Sequence, residues 1–163
     1  MPGRTNPGFF SKSFKEGISS LMDELKLAFQ WGRPSILVAV HREAGTGQEK
    51  ARAKLSREIE AAGRTVREIE ANRENPNIIQ SILKSAPRAD TVFFVSGIGR
   101  HAKAERNEIY RALNFHREML VDHRIILVLW LASTEAAELP LQAPDFWAFR
   151  HRVVEFAPDR KKF

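Results

Sequence analysis

The apolar residues Phe10, Phe14, Ile18, Leu21, Leu25 and Phe29 recur every three or four positions and stop near Trp31-Gly32. That spacing lines one stripe of an amphipathic helix over residues 10–33. Such a stripe either packs on the domain that follows or docks a partner or a membrane surface. Acids at Asp23 and Glu24 beside it favour packing.

From Pro34 the period changes. Ser35 to Val40 is a continuous apolar run, the pattern of a strand covered on both faces. A helix follows, with Ala51, Leu55, Ile59 and Ala62 on one face and Gly63 as its stop. Thr65 to Glu70 is more polar and reads as a strand near an edge. Asn75-Pro76 opens a short helix with Ile78, Ile79, Ile82 and Leu83 on its buried side. Thr91 to Val95 is a second apolar strand. A long helix from Ala102 to Leu120 turns Ile109, Leu113, His116 and Leu120 inward. Ile125 to Leu131 is the third and strongest apolar strand. Short helical pieces at 134–139 and 144–149 lead to a last strand, Arg152 to Phe156.

Strands alternating with helices predict a three-layer α/β/α domain around a mainly parallel, five-stranded sheet. The α/β domain covers residues 34–156, after an N-terminus without fixed structure (1–9) and the amphipathic helix (10–33). A basic tail, 157–163, follows it. Two strand orders compete. A P-loop NTPase-like sheet places the fourth strand between the first and third; a flavodoxin-like sheet puts the first and third side by side. The P-loop order is the expectation.

Composition narrows the functional classes. The chain has 163 residues and no cysteine, which removes disulfides, thiol nucleophiles and thiolate metal sites. No stretch approaches the roughly 20 apolar residues of a membrane-spanning helix, and the N-terminus lacks a secretory pattern; a cytoplasmic protein is expected. The formal charge of +6 hints at an acidic partner. Acids are interleaved with the bases, however, as in Lys103, Glu105, Arg106, Glu108 and Arg111, and only Arg160-Lys161-Lys162 forms a basic run. A nucleic-acid partner is therefore not favoured.

Ligands of open parallel sheets bind at the carboxyl ends of the strands. The loop after the first apolar strand runs from His41 to Lys50 and contains Gly45 and Gly47. A phosphate-binding loop needs Gly, four residues, then Gly-Lys-Ser/Thr. With Gly47 as the second glycine, Arg42 replaces the first, Gln48 the lysine and Glu49 the hydroxyl residue. Gln48 carries no charge to neutralise a triphosphate and Glu49 would repel one. Lys50, two positions late, is expected to point away. Thr91 to Val95 ends in Ser96-Gly97, where an NTPase carries an acid for magnesium or water. Nucleotide contacts, if made, fall to Arg42, Gly45, Gly47 and Gln48. The five histidines stand apart without metal-ligand spacing. Glu58, Glu60, Glu68 and Glu70 read as a solvated face. No catalytic residue, metal or cofactor is expected.

The C-terminal third is the most distinctive sequence: Arg111 to Glu118, Arg124 to Leu131, and Ala143 to Phe156 with its Ala143-Pro-Asp-Phe-Trp147 segment. Together with Pro34 to Val40, this resembles the N-terminal STAND-type NTPase-like domain of bacterial signalling and defence proteins that continue into tetratricopeptide repeats. The resemblance covers about residues 20–156. It implies a sensor or scaffold module with a degenerate nucleotide loop, acting through a protein partner, appended repeats or self-association. An interaction surface would use Phe10, Phe14, Trp147, Phe149, Arg150 and Arg152, although Phe146, Trp147 and Phe149 could instead wedge their helix against the sheet. The alternatives are a module that grips nucleotide without hydrolysis and a nucleic-acid-binding domain using its basic surface.

Overall fold

The computed structural model describes residues 11–85 and 89–158. In chain order the elements are β1 (Ser11–Lys12), α1 (Phe14–Trp31), β2 (Ser35–His41), α2 (Thr46–Ala61), β3 (Thr65–Glu70), α3 (Ile78–Lys84) and β4 (Thr91–Ser96). A 3-10 turn at Ile98–Arg100 then leads to α4 (Lys103–Asp122), β5 (Ile126–Ala132), α5 (Ser133–Gln142), α6 (Pro144–Ala148) and β6 (Arg152–Phe156).

All strand pairs are parallel, in the order β1-β6-β2-β5-β4-β3. The fourth of the strands expected from the sequence, β5, therefore lies between β2 and β4, as a P-loop sheet requires. The expected five strands become six. Ser11 and Lys12 pair with Glu155 and Phe156 and cover the outer edge of β6. Two residues are too few to show an alternating pattern, and their pairing partners lie at the other end of the chain. Phe10 and the predicted N-terminal segment 1–9 lie outside the described residues, as do positions 159–163 of the predicted tail.

Side chains alternate across the sheet and build two cores. On one face Leu37, Ala39, Phe94, Val128 and Trp130 meet Leu21 and Leu25 of α1 and Ala51, Leu55 and Ile59 of α2. On the other, Val38, Val40, Phe93, Val95 and Leu129 meet α3, α4, α5 and Phe146 of α6. Because helices cover both faces, β2 is buried at every position. Burial of a side chain such as Phe93 or Phe146 stabilises the fold by roughly 1.5–3 kcal/mol. β3 lies at the opposite edge, where its polar residues meet water.

Helix ends follow local chemistry. Ser13 caps α1 by accepting from the Glu16 N–H at 3.2 Å, and Gly32 ends it in the left-handed region. Asn77 caps α3 through the Gln80 N–H. His116 departs from expectation. The buried stripe of α4 is centred on Ile109, Tyr110 and Leu113, which turns His116 to its margin, half-exposed and edge-on to Phe115 at 4.8 Å.

Candidate functional site

β2 ends at His41, and α2 begins at Thr46 with Gly45 as its N-cap. Gly45 has φ +148°, a conformation that side-chain-bearing residues rarely adopt. It offers no capping side chain, so the first N–H groups of α2 face the carboxyl edge of the sheet without that partner.

The loop separates two clefts. The first, about 630 Å³, lies between the loop, the start of α1 and the end of β6. Phe14, His41, Arg42, Gly47, Lys50 and Phe156 are among its walls. The His41 ring stacks on Phe156 at 4.5 Å and 11°, and faces Trp130 at 6.2 Å. Phe14 stands 6.4 Å from Phe156. Phe14, His41 and Phe156 thus give the cleft an aromatic wall. Lys50 does not point away as its sequence position suggested. It lies three and four residues after Gly47 and Thr46, which puts it one helical turn below them on the same face.

The second cleft, about 370 Å³, opens toward the ends of β4 and β5 and includes Gln48, Arg52, Ser96, Arg100, Trp130 and Glu135 in its walls. At the end of β4 the Arg52 guanidinium donates to the Ser96 hydroxyl at 3.2 Å and lies 3.6 Å from the Glu68 carboxylate. Arg100 pairs with Glu70 at the next strand end. Glu135 is buried, its Oε1 accepting from the Ala132 N–H at 3.3 Å. Its carboxylate packs where a side chain on Gly99 would have to be. Among the described residues no three metal-ligating side chains converge.

This arrangement places a guanidinium where a metal-assisted phosphoryl transfer would need an acid. Gln48, itself buried, brings no charge, and Glu49 sits in the first turn of α2. A carboxylate there favours the helix through its dipole but opposes an incoming phosphate.

Of the residues singled out in the sequence, Arg42, Gly45 and Gly47 line the first cleft, while Gln48 lines the second with Gly45. The six aromatic and basic residues do not form one surface. Phe14 stands at the carboxyl edge of the sheet. Trp147 and Phe149 lie at the opposite edge, half-buried against the core of α3 to α6. Arg150 covers the Trp147 ring at 4.4 Å, and Arg152 pairs with Glu24 at 3.4 Å. Arg52, Glu135 and Trp130 escaped the sequence reading. Arg52 follows Gln48 by four residues, which puts both on one face of α2 and was a usable signal. Glu135 had no comparable one, because only the crossover to β5 brings it beside β4.

No family model matches the chain, and no curated protein does. Solved structures do. A variant of RuvB from Thermotoga maritima superposes with a TM-score of 0.53 at 19% identity, over 87% of this chain and 44% of its own. The ORC2 protein of Aeropyrum pernix in its ADP form gives 0.57 at 12% identity, over 96% and 50%. The same protein in ADPNP–ADP complexes gives 0.51 at 13%, over 93% and 50%. The chain thus spans about half the length of these structures. At such identity the likeness is one of architecture alone: this chain has a P-loop NTPase-like α/β fold, similar to that of RuvB and ORC2.

Proposed function

We infer that this chain is a non-catalytic regulatory domain of the STAND-type kind, a sensor or scaffold that acts through a protein partner. One observation carries the inference: Arg52 holds Ser96 at the end of β4. Phosphoryl transfer in this fold needs a cation held there by a carboxylate, and a lysine on the loop to meet the phosphates. Here a fixed guanidinium, a neutral amide at Gln48 and an acid at Glu49 stand in their place. A metal ion would be repelled by Arg52, and a triphosphate in the second cleft would meet the Glu49 carboxylate where a phosphate loop offers a hydroxyl. The resemblance of the C-terminal third to STAND-type domains supports the regulatory role.

The first cleft supports a second reading, a nucleotide held but not cleaved. Arg42 and Lys50 line it together with the uncapped start of α2. Thermal unfolding with ATP, GTP and their diphosphates, with and without magnesium, separates the two. No shift at millimolar nucleotide is the expected result. Ligand binding to the folded state alone adds RT ln(1 + [L]/Kd), so a saturable rise without hydrolysis would favour the second reading. Phosphate release dependent on magnesium would overturn both.

A further inference from the structure

In a parallel sheet every chain segment that enters a strand arrives at the same edge. Four of the six strands here carry an arginine at or within two residues of their entry. Arg33 precedes β2, Arg64 precedes β3, Arg124 precedes β5, and Arg150 and Arg152 flank the start of β6. Along the chain these residues are separated by acids and look interleaved. The fold gathers them. Acids near this edge include Glu24, which pairs with Arg152 at 3.4 Å, and Glu60, Asp90 and Asp122, at or just beyond the ends of α2 and α4 and before β4.

The concentration is greatest over three neighbouring strands, β6, β2 and β5. Neighbouring strands lie about 4.8 Å apart, so their entry loops span about 10 Å. Direct bonds hold these loops in place: the Ser35 N–H donates to the Ile125 carbonyl at 3.1 Å, and the His151 N–H to the Ile36 carbonyl at 2.8 Å. Arg33, Arg124 and Arg150 are exposed and make no ion pair among the described residues. The Arg33 charge also bears on the His151 imidazole, which places the β2 and β6 loops within electrostatic reach.

Aromatic rings are interleaved with these cations. Arg64 lies over the Phe29 ring at 4.5 Å and Arg150 over the Trp147 ring at 4.4 Å. Trp31 is 66% exposed at the end of α1, two residues before Arg33. Offsetting the dipoles of α1, α2 and α4, whose C-termini point to this edge, would account for one cation per helix. It would not account for the open indole, nor for Arg150 at β6, where Arg152 is already paired with Glu24.

We propose that this edge binds single-stranded nucleic acid, with phosphates on Arg33, Arg124 and Arg150 and a base stacked on Trp31. Cationic rows track a backbone, and aromatic faces accept unstacked bases irrespective of sequence. A duplex keeps its bases stacked and would leave Trp31 unused. An acidic protein would use the arginines but not a stacking ring. The inference stands apart from the proposed regulatory role, since it uses the opposite edge of the sheet and no residue of either cleft.

The test is fluorescence anisotropy of a labelled 20-nucleotide deoxythymidine strand with the full chain, against a duplex of the same length and polyglutamate as competitors. Binding should weaken by roughly 20-fold between 50 and 200 mM salt, the slope for about three neutralised phosphates. Arg33→Glu combined with Arg124→Glu should weaken it at least tenfold. Trp31→Ala should weaken it roughly 5- to 100-fold without changing the salt slope. Lys103→Glu, at the other edge, should leave it unchanged. Circular dichroism shows whether each variant is folded, and the salt slope and competition need no variant. No binding at 50 mM salt overturns the proposal. So does competition by duplex or polyglutamate equal to that of the strand, or binding indifferent to Trp31.

Discussion

Asn114 of α4 accepts, through Oδ1, the backbone N–H groups of both Asp145 and Phe146, at 2.9 and 3.0 Å. It also reaches the Asp145 carboxylate through Nδ2 at 3.4 Å. α6 has no side-chain cap of its own, since Ala143 occupies its N-cap position. A residue about thirty positions earlier therefore does the capping. The contact joins two of the most distinctive sequence segments and seats Phe146 in the core. Replacing a capping side chain by alanine typically costs about 1 kcal/mol and up to 2, so Asn114→Ala should lose that much in urea unfolding. Asn114→Asp keeps the acceptor but opposes the Asp145 carboxylate, and should fall between the two.

Arg106 and Glu138 form a two-point ion pair, with Nε to Oε1 at 3.0 Å and Nη2 to Oε2 at 3.1 Å, and both are mostly buried at 17% and 16% exposure. Arg106 also donates to the His101 carbonyl at 2.9 Å. The Glu138 hydrogen bond holds the Arg106 pKa above its ordinary value, while burial first and the Glu138 charge second raise that of Tyr110. Glu138→Ala strands a buried guanidinium and should cost roughly 3 kcal/mol. In a double-mutant cycle with Arg106→Ala, the coupling should be favourable, about 1.5–3 kcal/mol. Zero coupling would remove the pair from any account of how α4 and α5 are held together.

The His151 Nδ1 accepts the Ile36 N–H at 2.9 Å, which only an unprotonated nitrogen can do. Burial first, and then the Arg33 charge, lower its pKa from 6.5; Glu24 opposes them, and Arg152, paired with Glu24, adds a further cation nearby. With the folded pKa below the unfolded value, the unfolded chain takes up the proton first as pH falls. The contribution of His151 is thus fully present above pH 6.5 and is lost as pH drops below it. Urea unfolding between pH 5 and pH 8 should show that decline, and His151→Asn, which keeps an acceptor without a titration, should flatten it.

Gly17 of α1 faces Phe156 of β6, and a methyl group there would overlap the Phe156 ring. The ring cannot easily give way, because His41 stacks on it. Alanine would gain about 1 kcal/mol of helix propensity, yet overpacking costs 1–3 kcal/mol. Gly17→Ala should therefore be neutral to destabilising, by up to about 2 kcal/mol, where an open helical glycine would give a stabilised protein. Thermal unfolding reads the sign directly.

Much of the candidate site was legible because its chemistry is local. Gly45, Gly47, Gln48 and Glu49 lie within one five-residue stretch, and their departure from a phosphate loop can be read residue by residue. Arg52 required placing one helical face, and Lys50 was misjudged by counting motif positions instead of helical turns. Glu135 and Ser96 come together through strand pairing alone, which no local spacing records.

The division has one physical cause. Periods of two and of 3.6 residues depend on neighbours in the chain, so the sequence alone determined most of the helices and strands, their buried faces, the glutamine where a phosphate loop has its lysine and the missing acid at the end of β4. Which strands become neighbours depends on packing between runs of nearly equal hydrophobicity, Ser35 to Val40, Thr91 to Val95 and Ile125 to Leu131. Only the tertiary structure decided that β5 enters between β2 and β4, that Ser11 and Lys12 close the edge of β6, and that arginines scattered among acids meet along one edge of the sheet.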